Sequence, residues 1–243
     1  MFVAAKIAYD GSKFYGFSKQ KDYLSVVEFL EKKLATFGIF TKVMGAGRTD
    51  RGVHATGQVI KFEVPDYWDL ERLLKLFNIK AYPLVAIRRI WKVTENFHPR
   101  FDAVKREYRY IFGKSRRNIW LSSYVSYEVY DSQEKIQEAL EIFIGKHDFL
   151  FFSKRGSDAT TSVREIYKAF LYEYQILNDK YLVAVFQANG FLYAQIRMMM
   201  GAILAYSRGE ITLDDLKSQL LVQKSVYQIP SSPSGLYLSK IFY

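Results

Sequence analysis

One stretch limits the possible folds more than any other. Residues 164–188 read REIYKAFLYEYQILNDKYLVAVFQA. Aromatic and β-branched residues fill both arms, and the polar pair Asn178–Asp179 lies between them. Such residues suit a pleated, half-buried surface, and so short a connection can join only antiparallel neighbours. The stretch predicts two long strands turning at Asn178–Asp179. A hairpin of this kind is marginal alone in water, so further strands or helices must cover its apolar face.

The rest of the chain supplies both. Residues 2–9 alternate, with Val3, Ala5, Ile7 and Tyr9 on one face, and predict a strand. YDGSKFYGF follows as a glycine-punctuated turn. Ser25 is placed to cap a helix running to about Phe37, with Val26, Phe29, Leu30 and Leu34 on one side and Gly38 as its stop. GQVIKFEV predicts a strand, Leu70, Leu73, Leu74 and Phe77 a helix, and LVAIRRIWKV another strand. NFHPRFDAVKREYRYIFG joins the halves. Asp131 with Glu134 resembles a capping box, opening a helix that carries Ile136, Leu140, Phe143 and Ile144 and closes at Gly145. A buried helix from Ala194 to about Ser207, a short one from Thr212 and a final strand in GLYLSKIFY complete the reading. Strand–helix–strand order recurs in both halves. It predicts an α+β chain, mostly antiparallel, in two similar subdomains, residues 1–100 and 101–243.

Composition narrows the function. Lys and Arg number 35 against 25 Asp and Glu, a net charge of +10, which favours an anionic partner such as nucleic acid. Without cysteine the chain has no disulfide, no thiolate nucleophile and no cysteine zinc site. His54, His98 and His147 lack ligand spacing, so no metal is expected. The N-terminal apolar run is too short for a signal peptide, and GFLYAQIRMMMGAILAY is too short, and carries Arg197, for a membrane span. The expectation is a cytoplasmic protein with no membrane partner.

The chemistry concentrates in GAGRTDRGVHA, residues 45–55. Gly45 and Gly47 permit unusual backbone angles and close approach. Arg48 and Arg51 bracket Asp50, the stretch's one acid. That positive field favours the ionised carboxylate, which suits a nucleophile or a general base and not an acid that must keep its proton. The guanidinium forks also fit phosphates. Read without a function, the same residues are a loop aspartate held by local arginines. His54, between Val53 and Ala55, reads as a satisfied structural histidine.

This stretch resembles the signature of the tRNA pseudouridine synthase A family. The likeness continues in order through YDGSKFYGF, FHPRFDAVKREYRYIF, GKHDFLFF, NGFLYAQIRMMMGAIL and GLYL, across essentially the whole chain. The resemblance implies the pseudouridine synthase fold: two similar α+β subdomains sharing an extended, mixed, mostly antiparallel sheet flanked by helices, with a basic cleft. It also implies a homodimer acting on tRNA without cofactor or metal. The implied reaction converts uridine to pseudouridine at tRNA positions 38, 39 and 40 in the anticodon stem-loop.

Individual positions carry over from the same likeness. Asp50 takes the catalytic position, as nucleophile or base. Arg48 matches the arginine that helps displace the target base. Tyr108 matches the tyrosine that packs on that base; from the residues alone it is a core strand aromatic. Arg197 matches the arginine paired with the catalytic carboxylate; alone it reads as a helix arginine snorkelling to the surface. Arg51, Arg100, Lys105, Arg106, Lys114, Arg116, Arg117, Lys154 and Arg155 are candidate RNA contacts, though each singly reads as a solvated charge. Arg51 stands where the family commonly has alanine, so an alternative within the family is a synthase with a different tRNA target set. Two other readings are a tRNA-binding protein without catalysis and a metal-dependent nuclease. The first gains nothing from a carboxylate beside phosphate, and the second would want several converging acids.

Overall fold

The computed structural model describes residues 1–116, 118–154, 156 and 160–243. In chain order the elements are β1 (Phe2–Tyr9), α1 (Val26–Ala35), β2 (Met44–Gly45), β3 (His54–Glu63), α2 (Leu70–Ala81) and β4 (Val85–Lys92). There follow β5 (Lys105–Gly113), β6 (Ser126–Tyr127), α3 (Gln133–Glu141), β7 (Gly145–Asp148), β8 (Val163–Ile176) and β9 (Asp179–Ala188). The last are α4 (Gln195–Ser207), α5 (Leu213–Leu220) and β10 (Leu236–Phe242). They form two compact units, Met1–Val104 with Tyr237–Tyr243, and Lys105–Leu236. The closing strand counts with the first unit because Tyr237 and Leu238 pair in parallel with His54 and Ala55.

In the first unit β1 is antiparallel to both β3 and β4. β2 and β10 lie along the remaining edge of β3. β10 can approach because residue 57 is glycine: a Cβ there would stand 2.0 Å from the Ser239 carbonyl oxygen. Ser25 caps α1 by accepting the Glu28 N–H at 3.2 Å. The helix ends at Ala35, two residues before the sequence reading, where Thr36 turns its hydroxyl onto the Lys33 carbonyl at 2.8 Å. Gly38, at φ +74°, then takes the left-handed turn. β3 starts at His54 rather than Gly57. Polar His54 and Thr56 disguise its first turn of alternation, but pairing with Tyr9 and Tyr237 extends it. Phe14, Leu30, Leu34, Phe62, Leu73 and Phe77 fill the core.

In the second unit β9 lies between β5 and β8, antiparallel to each; β7 flanks β8 and β6 runs parallel to β5. α3 packs on β8 and α4, and α5 packs on α4. α4 is buried on nearly every side, including Met198, Met199 and Met200, as an all-round apolar helix must be. The long hairpin forms, but it turns at Leu177–Asn178, with Ile176 opposite Asp179. Both turn residues have positive φ, 47° and 66°, the twist that suits a two-residue hairpin. Asp179 is therefore the first residue of β9. The expected capping box also shifts. Ser132, not Asp131, caps α3, its Oγ accepting the Lys135 N–H at 3.1 Å, while Asp131 pairs with the Lys135 ammonium at 3.1 Å. Gly145 does not stop that helix. The helix ends at Glu141, and Gly145, at φ +110°, opens β7.

Candidate active site

Asp50 sits in the first unit, in the loop between β2 and β3. The chain runs back along β3 as far as Gly47, whose carbonyl accepts the Gln58 side-chain N–H at 2.7 Å. From there the loop is fixed from several sides. The Thr49 carbonyl accepts the Phe17 N–H at 3.0 Å. The Thr49 Oγ1 lies 2.7 Å from the Tyr9 hydroxyl in a buried hydrogen bond. The Asp50 carbonyl accepts the Val53 N–H at 3.1 Å, a turn that Gly52 completes at φ +81°.

The YDGSKFYGF turn is the other half of this brace. The Gly16 and Phe17 carbonyls accept the first two amide protons of α1, from Val26 at 3.1 Å and Val27 at 3.0 Å. Those amides have no partner within their helix, so the turn caps α1 while Phe17 holds Thr49. Two glycines make the contact possible. A Cβ on Gly11 would stand 2.0 Å from the Val53 carbonyl oxygen, and one on Gly45 would stand 2.3 Å from the Phe17 ring. The result is a half-buried Asp50 flanked by exposed Arg48 and Arg51 on a pinned backbone. Thr49 is 7% exposed. The sequence reading gave it no role, since only its position between Arg48 and Asp50 could have marked it.

His54 is fully buried, with its ring stacked on Tyr237 at 4.8 Å. Its Nδ1 accepts the Gly11 N–H at 3.0 Å. The same nitrogen lies 3.5 Å from Asp10 Oδ1, which by distance alone resembles an ion pair. A backbone N–H can only donate, so Nδ1 is the acceptor and carries no proton for Asp10. His54 is thus a structural post under the loop, as its apolar neighbours suggest.

Tyr108 and Arg197 belong to the second unit. Tyr108 stands on β5 opposite Phe186, 9% exposed, with its ring edge-on to Phe191 at 5.2 Å. Two residues along, Tyr110 donates to Glu128 at 2.9 Å; burial first, then that carboxylate, drives its phenol well above the ordinary value. Arg197 is half-buried on the first turn of α4. Its Nε donates to the Ser231 carbonyl at 2.8 Å, and its own carbonyl accepts the Ser231 N–H at 2.9 Å. The guanidinium of a buried helix is thereby partnered rather than snorkelling outward.

The remaining basic residues belong to both units. Arg100 is exposed in the first unit, its guanidinium 5.7 Å from the Phe101 ring. Lys105 and Arg106 open β5, and Arg106 already donates to the Asn189 carbonyl at 2.7 Å. Lys114 lies 4.4 Å over the Tyr130 ring, and Arg116 and Lys154 are exposed. Arg117 and Arg155 lie outside the described residues. Among the described residues no cluster of three or more His, Cys, Asp or Glu is arranged to hold a metal ion. Nor is any described helix long and apolar enough to cross a membrane.

A family model described as tRNA pseudouridine synthase matches residues 5–102 and 139–243. The tRNA pseudouridine synthase A of Helicobacter hepaticus is 43% identical over 246 residues, covering 98% of both chains. That of Wolinella succinogenes is 40% identical over 240 residues, covering 98% of this chain and 93% of its own. That of Helicobacter pylori is 36% identical over 239 residues, again covering 98% of both.

Proposed function

The chain belongs to the tRNA pseudouridine synthase A family, and we propose that Asp50 is its catalytic carboxylate, acting on uridines 38, 39 and 40 of the anticodon stem-loop. The protein is an isomerase. The reaction breaks the N1–C1′ bond, turns the base and joins C5 to C1′; the proton lost from C5 is balanced by one gained at N1. No redox partner enters. An ionised carboxylate meets either need at the sugar, attack on C1′ or removal of a ribose proton.

The observation that carries the assignment is the brace around Thr49. Hydrogen bonds with Phe17 and Tyr9 fix the residue before Asp50. A fixed reacting group is what positional catalysis requires. Arg48, Tyr108 and Arg197 bind the substrate in this reading. Arg51, Arg100, Lys105, Arg106, Lys114, Arg116 and Lys154 offer phosphate contacts, which suits a structured RNA recognised by shape and backbone. The target nucleotide leaves its stack, since its sugar and base edges are otherwise shielded. The partner is tRNA, the working form is a homodimer, the compartment is the cytoplasm, and neither cofactor nor metal takes part.

Purified protein incubated with unmodified tRNA transcripts in EDTA is expected to form pseudouridine at those positions. Asp50→Asn is expected to abolish the product while tRNA binding stays nearly intact. Pseudouridine from that variant would overturn the assignment, and loss of activity in EDTA would overturn the metal-free reading. Light scattering of the free protein checks the dimer.

A further inference from the structure

Arg51 is the exposed cation directly after Asp50, and it does not stand alone. Its guanidinium carbon lies 4.1 Å from the centroid of the Tyr15 ring. The Tyr15 ring is in turn stacked on Tyr23, centroids 4.2 Å apart and planes 18° apart. Two groups cannot share one face of a ring at such distances, so Tyr15 is sandwiched between Tyr23 and Arg51.

The loop that bears the tyrosines is closed on itself. The Tyr15 N–H donates to the Leu24 carbonyl at 3.0 Å, and Gln20 donates to the Tyr15 carbonyl at 2.6 Å. The next carbonyl, Gly16, accepts the first amide of α1. The stack is therefore built on the same brace that holds Asp50. Tyr23 is 50% exposed, unusual for an aromatic serving only the core. Among the described residues Arg51 makes no ion pair and no side-chain hydrogen bond; its partner is the Tyr15 face.

This arrangement has a specific consequence. Stacking occupies one flat face of the guanidinium and leaves its five N–H donors around the edge. It also fixes the side chain in advance, which lowers the ordering cost of binding. Such an edge fits a two-oxygen anion, and the anion brought to this loop is RNA phosphate.

We propose that Tyr23, Tyr15 and Arg51 form a built phosphate clamp, in which the tyrosines position Arg51 to hold a backbone phosphate of the tRNA strand beside the reacting uridine. The placement beside that uridine rests on Asp50 being the catalytic carboxylate. Arg51 contacts the substrate; Tyr15 and Tyr23 are positioning residues that act through it.

The test measures the Kd of the full-length protein for an unmodified tRNA transcript across a salt series. Arg51→Ala and Tyr15→Leu each weaken binding roughly tenfold. Each lowers the slope of log K against log salt by roughly 0.7, the scale for one single-strand phosphate contact. The double variant is no weaker than the worse single, because both remove one device. Tyr15→Phe recovers most of what Tyr15→Leu loses. Arg51→Lys recovers the slope but only part of the affinity, since an ammonium lacks the planar fork. Tyr23→Leu, at an exposed position, repeats the effect of Tyr15→Leu more weakly and covers the case in which the latter does not fold.

A wild-type Kd and slope for Arg51→Ala would overturn the clamp, as would full additivity of the two changes. Weakened binding with an unchanged slope would overturn the phosphate assignment in favour of a base stacked on the guanidinium. Asp50→Asn separates the two readings. If it still forms pseudouridine, the catalytic assignment fails whatever Arg51 does; if it is inactive while Arg51→Ala binds normally, only the clamp fails.

Discussion

The Tyr9 hydroxyl and the Thr49 Oγ1 lie 2.7 Å apart in the core of the first unit, one residue before Asp50. Tyr9 ends β1, so the bond ties the first strand of the fold to the loop that bears Asp50. A buried hydroxyl that loses its partner costs about 1–2 kcal/mol. Tyr9→Phe and Thr49→Val are each expected to lower stability by about that much in urea unfolding. Each also slows pseudouridine formation by roughly tenfold, because a loosened backbone misplaces the carboxylate. The double variant loses no more than the worse single. Full additivity would show that the two hydroxyls do not work together.

Gly45 and Phe17 make a second test of the same brace. The Phe17 ring occupies the space that a Cβ on Gly45 would need, at 2.3 Å. Gly45→Ala therefore forces the ring aside, an overpacking cost of about 1–3 kcal/mol. Phe17→Leu should return part of it in the double variant, since the smaller side chain clears the clash. Thermal melts of the two singles and the double read this coupling. A Gly45→Ala variant that melts like wild type would mean that the loop yields freely and does not hold Asp50.

How far the sequence foretold this arrangement depended on the range of the forces involved. Ser25 caps its helix as read, because capping is decided within one turn. The α4 helix was legible from its apolar run, interrupted near its start by Gln195 and Arg197. Asp131 and Gly145 misled, since a neighbouring serine could cap equally well and glycine serves strand starts as well as helix stops. The hairpin turn slipped by one residue because strand register outweighed the preference of Asn178–Asp179. At the site, Asp50 and its arginines were visible as a local charge pattern. Thr49, Tyr9 and Tyr15 were not, because their roles come from contacts between residues far apart in the chain, and Tyr23 gains its role only by stacking on Tyr15.

Asp215 gives a pH-dependent test in the second unit. Its carboxylate accepts the Thr212 N–H at 3.1 Å and the Thr212 hydroxyl at 2.8 Å, closing the capping box of α5. The Thr212 backbone bond first, then its hydroxyl, holds the carboxyl below its ordinary value of 3.8. A group depressed in the folded state binds its proton more readily when unfolded, so its stabilisation is present above 3.8 and fades as the pH falls through the lower folded value. Asp215→Ala should lower Tm at neutral pH, with the gap to wild type narrowing once the pH drops below 3.8. A gap independent of pH would mean that the carboxylate's charge contributes nothing to the cap.

Gly201 and Ile229 make the last test, at the helix that bears Arg197. A Cβ on Gly201 would stand 2.0 Å from the Ile229 carbonyl oxygen, so only glycine lets the 229–231 segment lie on α4. That segment supplies the Ser231 carbonyl that receives the Arg197 Nε at 2.8 Å. Gly201→Ala should lift the segment and release the guanidinium from its fixed direction. The expected result is a fall in turnover of about tenfold or more, with the second unit still folded by circular dichroism. Gly201→Ser, which carries the same Cβ, should behave alike. Arg197→Lys should also lose turnover, since an ammonium cannot reproduce the planar donor geometry. If Gly201→Ala instead keeps wild-type turnover, the hold of Ser231 on Arg197 is packing alone and does not serve the reaction.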